Sequence, residues 1–215
     1  ICGSDLSGIE LRLLASYLHP YDGGEYVKVI LEGDIHSYNA KAFGTSRSVA
    51  KTLIYSINYG GGDELVGKVA GGGRALGKKL KDKFFTEVPA FATLNKNLET
   101  ASKRGYIKAI DGRKLAIRGN SSHRCLSQLL QSAGAIVAKH WVMKTYDTIK
   151  QKHGDDAFIM GWIHDEIQVA CRTKEIANDV GNIASRMAQK AGTALNLNIP
   201  IAAEYSVGAT WADTH

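Results

Sequence analysis

The chain has 215 residues, 44% hydrophobic and 22% charged, with 27 Lys and Arg against 21 Asp and Glu for a net charge of +6. Those values exclude a mainly disordered chain, which needs low hydrophobicity and high net charge, and the length is enough to bury a sizeable core without staples. Three Cys without a C-x-x-C spacing exclude a disulfide scaffold and a thiolate zinc site, and no apolar run reaches the roughly 18–20 residues of a membrane span.

Taken in chain order, a short strand ending near Asp5 leads into a helix in which Ile9, Leu13, Leu14 and Leu18 recur at helical spacing. Ser7 is its expected N-cap, with Glu10 completing a capping box. Asp34 opens a helix from Ile35 to about Phe43, and Ser46 caps another from Arg47 to about Asn58, ended by Gly60-Gly61-Gly62. Residues 64–85 read as helical and very basic, with Lys78, Lys79, Lys81 and Lys83, and residues 89–103 as a further helix. Asp111-Gly112 between apolar residues marks a hairpin within 106–117. A long amphipathic helix is expected over 122–152, strands over 158–163 and 167–171, a helix over 173–195 and a last strand over 199–207. Pro20, Pro89 and Pro200 each mark an expected element boundary. Helices and strands mix without a βαβ rhythm, so the predicted fold class is α+β. The odd number of Cys without a C-x-x-C predicts a reducing, intracellular setting, and an Ile at the first position predicts a processed product or a fragment.

Charge is distributed unevenly. Residues 41–140 hold 18 Lys and Arg against 6 Asp and Glu, a net of +12, and the rest of the chain holds 9 against 15, a net of −6. A basic block suits a polyanionic partner; acidic flanks suit a metal ion or plain solvation.

Four features carry chemistry. His164-Asp165-Glu166 places two carboxylates and an imidazole at the tip of an apolar hairpin, where a solvated turn would ordinarily use Gly, Asn or Pro. Asp5 lies where a strand ends, a position that serves either a helix cap or a Mg²⁺ ligand. Two such carboxylates from separate segments can clamp a pair of metals for phosphoryl transfer. Arg47, Lys51, Tyr55 and Tyr59 follow at four-residue steps, a row of about 18 Å along one helix face. Its two cations repel by about 0.2–0.5 kcal/mol unless an anion lies across them, and the aromatics can stack on a base. Leu53, Ile54 and Ile57 already supply a core face, so the row is a second face. The fourth, Gly72 to Lys79, imitates a phosphate loop but lacks the terminal hydroxyl and a preceding strand, and reads as a glycine turn before a basic helix.

These elements in this order resemble family A DNA polymerases, and within them the replicative enzymes of T-odd-type bacteriophages. Asp5-Leu-Ser-Gly-Ile-Glu10-Leu-Arg12 is similar to motif A, Arg47 to Gly60 to motif B, and Ile163-His164-Asp165-Glu166 to motif C. Asp34-Ile-His36, Asp111-Gly-Arg113 and Leu129-Leu-Gln131-Ser-Ala-Gly134 match intervening signatures. The resemblance implies template-directed DNA synthesis from dNTPs on primer-template DNA. Two Mg²⁺ ions, with Mn²⁺ able to substitute, would be held by Asp5, Asp165 and the Leu6 carbonyl and supported by Glu166. It implies that His36, Arg47 and Lys51 grip the phosphates, that Lys51 also donates a proton to the leaving group, and that Tyr59 stacks near the templating base. Glu10 would exclude a 2′-hydroxyl and hydrogen-bond Tyr55, His164 would meet the primer terminus, and His123, Ser127 and Gln131 would touch the duplex. Ser127 stands where the family usually has Asn.

The resemblance further implies a palm over residues 1–20 and 127–215, interrupted by helical fingers over 21–126. A thumb and a 3′–5′ exonuclease, which precede motif A in the family, have no counterpart in these residues. The missing thumb and exonuclease, as a segment or a separate chain, and a processivity factor are implied partners. No membrane partner is expected, and the implied location is cytoplasmic, the host bacterial cytoplasm for a viral protein. Two other readings stand beside this one. A noncatalytic DNA-binding remnant would not depend on Asp5 or Asp165. A single-subunit RNA polymerase is disfavoured by Glu10 and Glu166.

Overall fold

Segments far apart in the sequence meet in one sheet. The computed structural model describes residues 1–117 and 124–215, so His123 lies outside the described residues. In chain order the elements are β1 (Cys2–Leu6), α1 (Ile9–Asp22), α2 (Glu25–Glu32), α3 (Ile35–Phe43), α4 (Arg47–Asn58), α5 (Asp63–Val69), α6 (Arg74–Glu87), α7 (Pro89–Ser102), β2 (Tyr106–Lys108), β3 (Lys114–Ala116), α8 (Cys125–His153), β4 (Ala157–Ile163), β5 (Glu166–Cys171), α9 (Lys174–Ala194) and β6 (Ala203–Val207). The chain divides into two units, residues 1–13 with 133–215 and residues 14–132.

The first unit is built on an antiparallel sheet in the order β4-β5-β1-β6. Successive side chains of a strand point to opposite faces: in β1, Cys2, Ser4 and Leu6 are buried and Asp5 is exposed, while Gly3, on the face of Asp5, is buried against Gln168 and Thr214. Ile167 and Val169 of β5 join the buried face, against which α9 lays Val180, Ile183, Ala184 and Ala188. Thr173 starts α9 by accepting the Ile176 N–H at 3.3 Å, an N-cap. Trp141 of α8 is fully buried and satisfies its indole N–H on the Ala184 carbonyl at 2.8 Å. Each fully buried Leu or Ile contributes about 1.5–3 kcal/mol, so this apolar face fixes the sheet's register and leaves the opposite face to carry polar groups.

The second unit is helical apart from the β2–β3 hairpin. Asp34 caps α3 as expected, accepting from the His36 and Ser37 N–H groups at 3.0 and 3.3 Å, and Ser46 caps α4 by accepting from Val49 at 3.4 Å. Its core holds a cluster of rings: Phe43 stacks on Phe84 at 4.3 Å, and Phe91 meets Phe84 edge-on at 5.3 Å. The hairpin turns at Asp111-Gly112, with Asp111 accepting from the Arg113 N–H and pairing with its guanidinium.

Several local expectations are corrected. Ser7 does not cap α1: its N–H is held by the Ala202 carbonyl at 2.9 Å, just beyond the paired ends of β1 and β6, and its buried Oγ has no partner. Pro20 is not a boundary but lies inside α1, close enough to its end that little of the helix's bonding is lost. The α2 helix has no counterpart in the sequence reading. Asp22 opens it across Gly23-Gly24, its carboxylate accepting from the Gly24 and Tyr26 N–H groups at 2.8 and 3.0 Å. The basic stretch 64–85 is two helices, α5 and α6, rather than a continuous one. Gly67 and Gly77 face the neighbouring backbone so closely that a Cβ at Gly77 would lie 1.8 Å from the Asp63 carbonyl oxygen. The last strand begins only at Ala203, beyond Pro200. Cys2, Cys125 and Cys171 are free thiols, and among the described residues no helix is long and apolar enough to cross a membrane.

Candidate active site

The polar face of the sheet gathers carboxylates. Register places Asp5 directly opposite Glu166 on β5 and opposite Glu204 on β6, and opposite residues of antiparallel strands share a face. The turn between β4 and β5 consists of His164 and Asp165, since Ile163 pairs with Glu166. His164 adopts φ 56°, the left-handed conformation that a two-residue hairpin demands and that Gly or Asn usually supplies. Two bonds fasten the tip: the Trp162 indole N–H donates to the His164 carbonyl at 2.8 Å, and the Leu6 N–H donates to the Asp165 carbonyl at 3.0 Å. The second bond ties the end of β1 to the turn and brings Asp5, Leu6 and Asp165 together.

Like charges opposite one another destabilise a sheet, and the acidities record it. Partial burial, then Asp165, Glu166, Glu204 and Glu10, push the Asp5 carboxyl up to about 6. Burial, with Glu10 adding to it, also raises Asp165. Glu166 goes the other way. Burial works against its charge, but hydrogen bonds from Gln168, His215 and Trp211 outweigh burial and hold it below its ordinary value. A cleft of about 460 Å³ opens over this face, lined among others by Asp5, Asp165, Glu166, Glu204, Tyr205 and His215.

Asp5 and Asp165 are thus hard oxygen donors that resist sharing space as anions, with a main-chain carbonyl available at Leu6. Among the described residues no three His, Cys, Asp or Glu side chains form a ready-made metal cage. A donor set of this kind fits Mg²⁺, which is commonly held by one or two carboxylates and completes its octahedron with water and substrate phosphate. Glu204 is a further member of the cluster that no motif indicated. The alternation of the 203–207 segment is its only signal, and it becomes informative once β6 is known to pair with β1.

In the helical unit, α3 and α4 bring His36, Arg47, Lys51 and Tyr55 to one side. The ring centroids of His36 and Tyr55 lie 6.4 Å apart. Burial, then the positive charges of Arg47 and Lys51, hold the His36 imidazole below its ordinary pKa, and its Nδ1 is buried without a partner. Arg47 forms a two-pronged ion pair with Asp34, Nε to Oδ2 at 2.7 Å and Nη2 to Oδ1 at 3.3 Å. That guanidinium and Ser37 hold the Asp34 carboxyl well below the usual carboxylate range. Lys51 is exposed, and Tyr59 follows Tyr55 by one turn at the C-terminal end of α4, also exposed. Ser127 and Gln131 stand one turn apart near the start of α8, half-buried and exposed. Glu10 sits in the first turn of α1, in the sheet-bearing unit. The predicted residues therefore form two clusters: Asp5, Leu6, Glu10, His164, Asp165 and Glu166 in one unit, His36, Arg47, Lys51 and Tyr55 in the other.

Comparison with known proteins gives concordant findings. The model of DNA polymerase family A matches residues 1–213. The DNA-directed DNA polymerase of Enterobacteria phage T3 is 42% identical over 99% of this chain and 33% of its own length, and that of Escherichia phage T7 is 41% identical over the same shares. The chain spans about a third of the length of these relatives. The solved POL domain of Pol1 from M. smegmatis, in complex with DNA primer-template and dNTP, matches with a TM-score of 0.82 over 98% of this chain and 39% of that one, at 18% identity. The mixed helix-and-sheet architecture is that of such a polymerase domain.

Proposed function

Because the chain belongs to DNA polymerase family A, we propose that it carries the nucleotidyl-transfer site of a template-directed DNA polymerase. The palm spans residues 1–20 and 127–215, which include the sheet-bearing unit, and the fingers span residues 21–126, within the helical unit. The observation that carries this reading is the meeting of Asp5 and Asp165 at the end of β1, two carboxylates whose acidity is suppressed by burial and then by their neighbours. They and the Leu6 carbonyl would hold two Mg²⁺ ions, which when bound favour ionisation of the primer 3′-hydroxyl and offset the charge of the triphosphate and leaving pyrophosphate.

The remaining roles belong to the chain's own groups. Lys51, exposed on α4, binds the triphosphate and donates a proton to the departing pyrophosphate. Arg47 exchanges Asp34 for phosphate. The pair it gives up is exposed, and exposed pairs contribute little, whereas a guanidinium on phosphate can bond in two places at once. His36, whose imidazole is held below its ordinary pKa by burial and then by its cationic neighbours, is placed to donate to an arriving phosphate. Tyr59 offers a stacking face to the templating base, and Tyr55 and Glu10 shape the sugar pocket. His164 meets the primer terminus, and Ser127, Gln131 and His123 read the minor groove, where acceptor atoms are nearly independent of sequence.

The test is single-nucleotide incorporation by the whole chain on a primer-template with Mg²⁺. Asp165→Ala is expected to lower the rate by about a thousandfold or more, the loss of several kcal/mol of transition-state stabilisation, with DNA binding retained. Undiminished incorporation by that variant overturns the reading. DNA binding by the wild type without any incorporation would favour the noncatalytic alternative.

A further inference from the structure

Glu166 is the one acid of the hairpin whose oxygens are both taken by protein donors. Oε1 accepts from the Gln168 amide, and Oε2 accepts from His215 Nδ1 at 2.7 Å. An ionised carboxylate only accepts, so in this contact His215 donates through its Nδ1–H. Gln168 is itself pinned. It is 1% exposed, and its Oε1 accepts from the Thr214 hydroxyl at 2.9 Å. It lies across Gly3, its partner in the β1–β5 register. A Cβ at Gly3 would stand 2.5 Å from the Gln168 amide nitrogen and 2.6 Å from the Thr214 carbonyl oxygen, so only Gly leaves room for the arrangement. Trp211, whose side chain also hydrogen-bonds Glu166, meets the His215 ring edge-on at 6.4 Å. Residues of β1, β5 and the 211–215 segment thus converge on one carboxylate, that of Glu166, directly across from Asp5 in the β1–β5 register.

We propose that Gln168, Thr214 and His215 are positioning residues that tie Glu166 back from the metal-binding pair, so that the hairpin presents Asp165 alone to Asp5. The inference rests on the polymerase reading for its purpose and on the hydrogen-bond network for its substance. Freed of the clamp, Glu166 is a third carboxylate close to two others. Added anionic charge raises affinity for a divalent cation, while a changed ligand set spoils the geometry that the reaction needs.

The test uses the full chain without DNA or nucleotide, titrated with Mn²⁺ alone and followed by electron paramagnetic resonance. His215 is exposed, so His215→Ala leaves the fold intact. It is expected to bind Mn²⁺ about tenfold more tightly than wild type, because a freed Glu166 adds carboxylate charge next to the pair. His215→Gln, which restores an amide donor, returns affinity towards wild type, and His215→Ala combined with Glu166→Gln abolishes the gain. Equal affinities for wild type and His215→Ala overturn the proposal, as does a gain that survives Glu166→Gln. In single-nucleotide incorporation with Mg²⁺, His215→Ala is expected to lower kcat about tenfold with KM for the dNTP changed less than about twofold. A wild type that incorporates nothing counts against the polymerase reading, while the Mn²⁺ titration still decides the clamp.

Discussion

Asp5 is held where its charge is least welcome, opposite Glu166 and Glu204 and beside Asp165. Its folded-state pKa, about 6, exceeds the ordinary carboxylate value, so the folded chain binds this proton more tightly than the unfolded chain does. Without metal, the associated stability is full below the ordinary value near 3.9 and is lost as pH rises to about 6. Asp5→Asn removes that loss. In the presence of a chelator it should stabilise the chain at pH 8 and give no gain at pH 4, as read by thermal unfolding. The full distance between the two pKa values would correspond to about 3 kcal/mol, and solvent screening at an exposed carboxylate cuts this to about 1 kcal/mol. Mg²⁺ should reverse the order by stabilising the wild type. Asp5 and Asp165 were legible in the sequence because each sits at a strand end within a recognisable motif. Glu204 was not, since its place beside Asp5 depends on strand pairing across the whole chain. The ties on Glu166 were hidden for the same reason: Gln168 is two residues away, but Thr214 and His215 reach it only through the fold.

At the level of elements, legibility followed the range of the interaction. Caps at Asp34 and Ser46 and the turn at Asp111-Gly112 are made by a side chain and the backbone next to it, so residue type alone announces them. The division of 64–85 depends on two helices packing together, which composition does not record. There the backbone of α6 at Gly77 touches Asp63 and Gly67 at the start and middle of α5. Helix propensity alone favours Gly77→Ala by about 1 kcal/mol. The close approach reverses the sign, because main-chain atoms cannot rotate out of the way. We expect Gly77→Ala to destabilise by about 1–3 kcal/mol in urea unfolding. The lysines of α6 are also less available than their number suggests: Lys78 pairs with Asp82 at 2.7 Å and Lys81 with Asp63 at 2.9 Å.

Over the whole molecule, the net charge of +6 conceals a basic middle and acidic flanks. The basic region falls largely in the helical unit, and the carboxylate cluster lies in the sheet-bearing one. If the basic surface contacts about six phosphates, affinity for primer-template DNA should drop about a thousandfold between 50 and 200 mM salt. A nitrocellulose filter or anisotropy titration at the two concentrations checks this, and a flat response would assign the lysines to solubility alone. The sheet has a consequence of another kind, for the order in which the chain can acquire structure. The end of β1 at Leu6 precedes the start of β5 at Glu166 by 160 residues (166 − 6), and β6 comes later still. At about 5–20 residues per second on a ribosome, β1 waits about 10–30 s for its first sheet partner. Residues 14–132 form a contiguous stretch and need no such wait. Residues 14–132 can therefore take up structure first, and the carboxylates of β1, β5 and β6 are brought together only after β6 has been made.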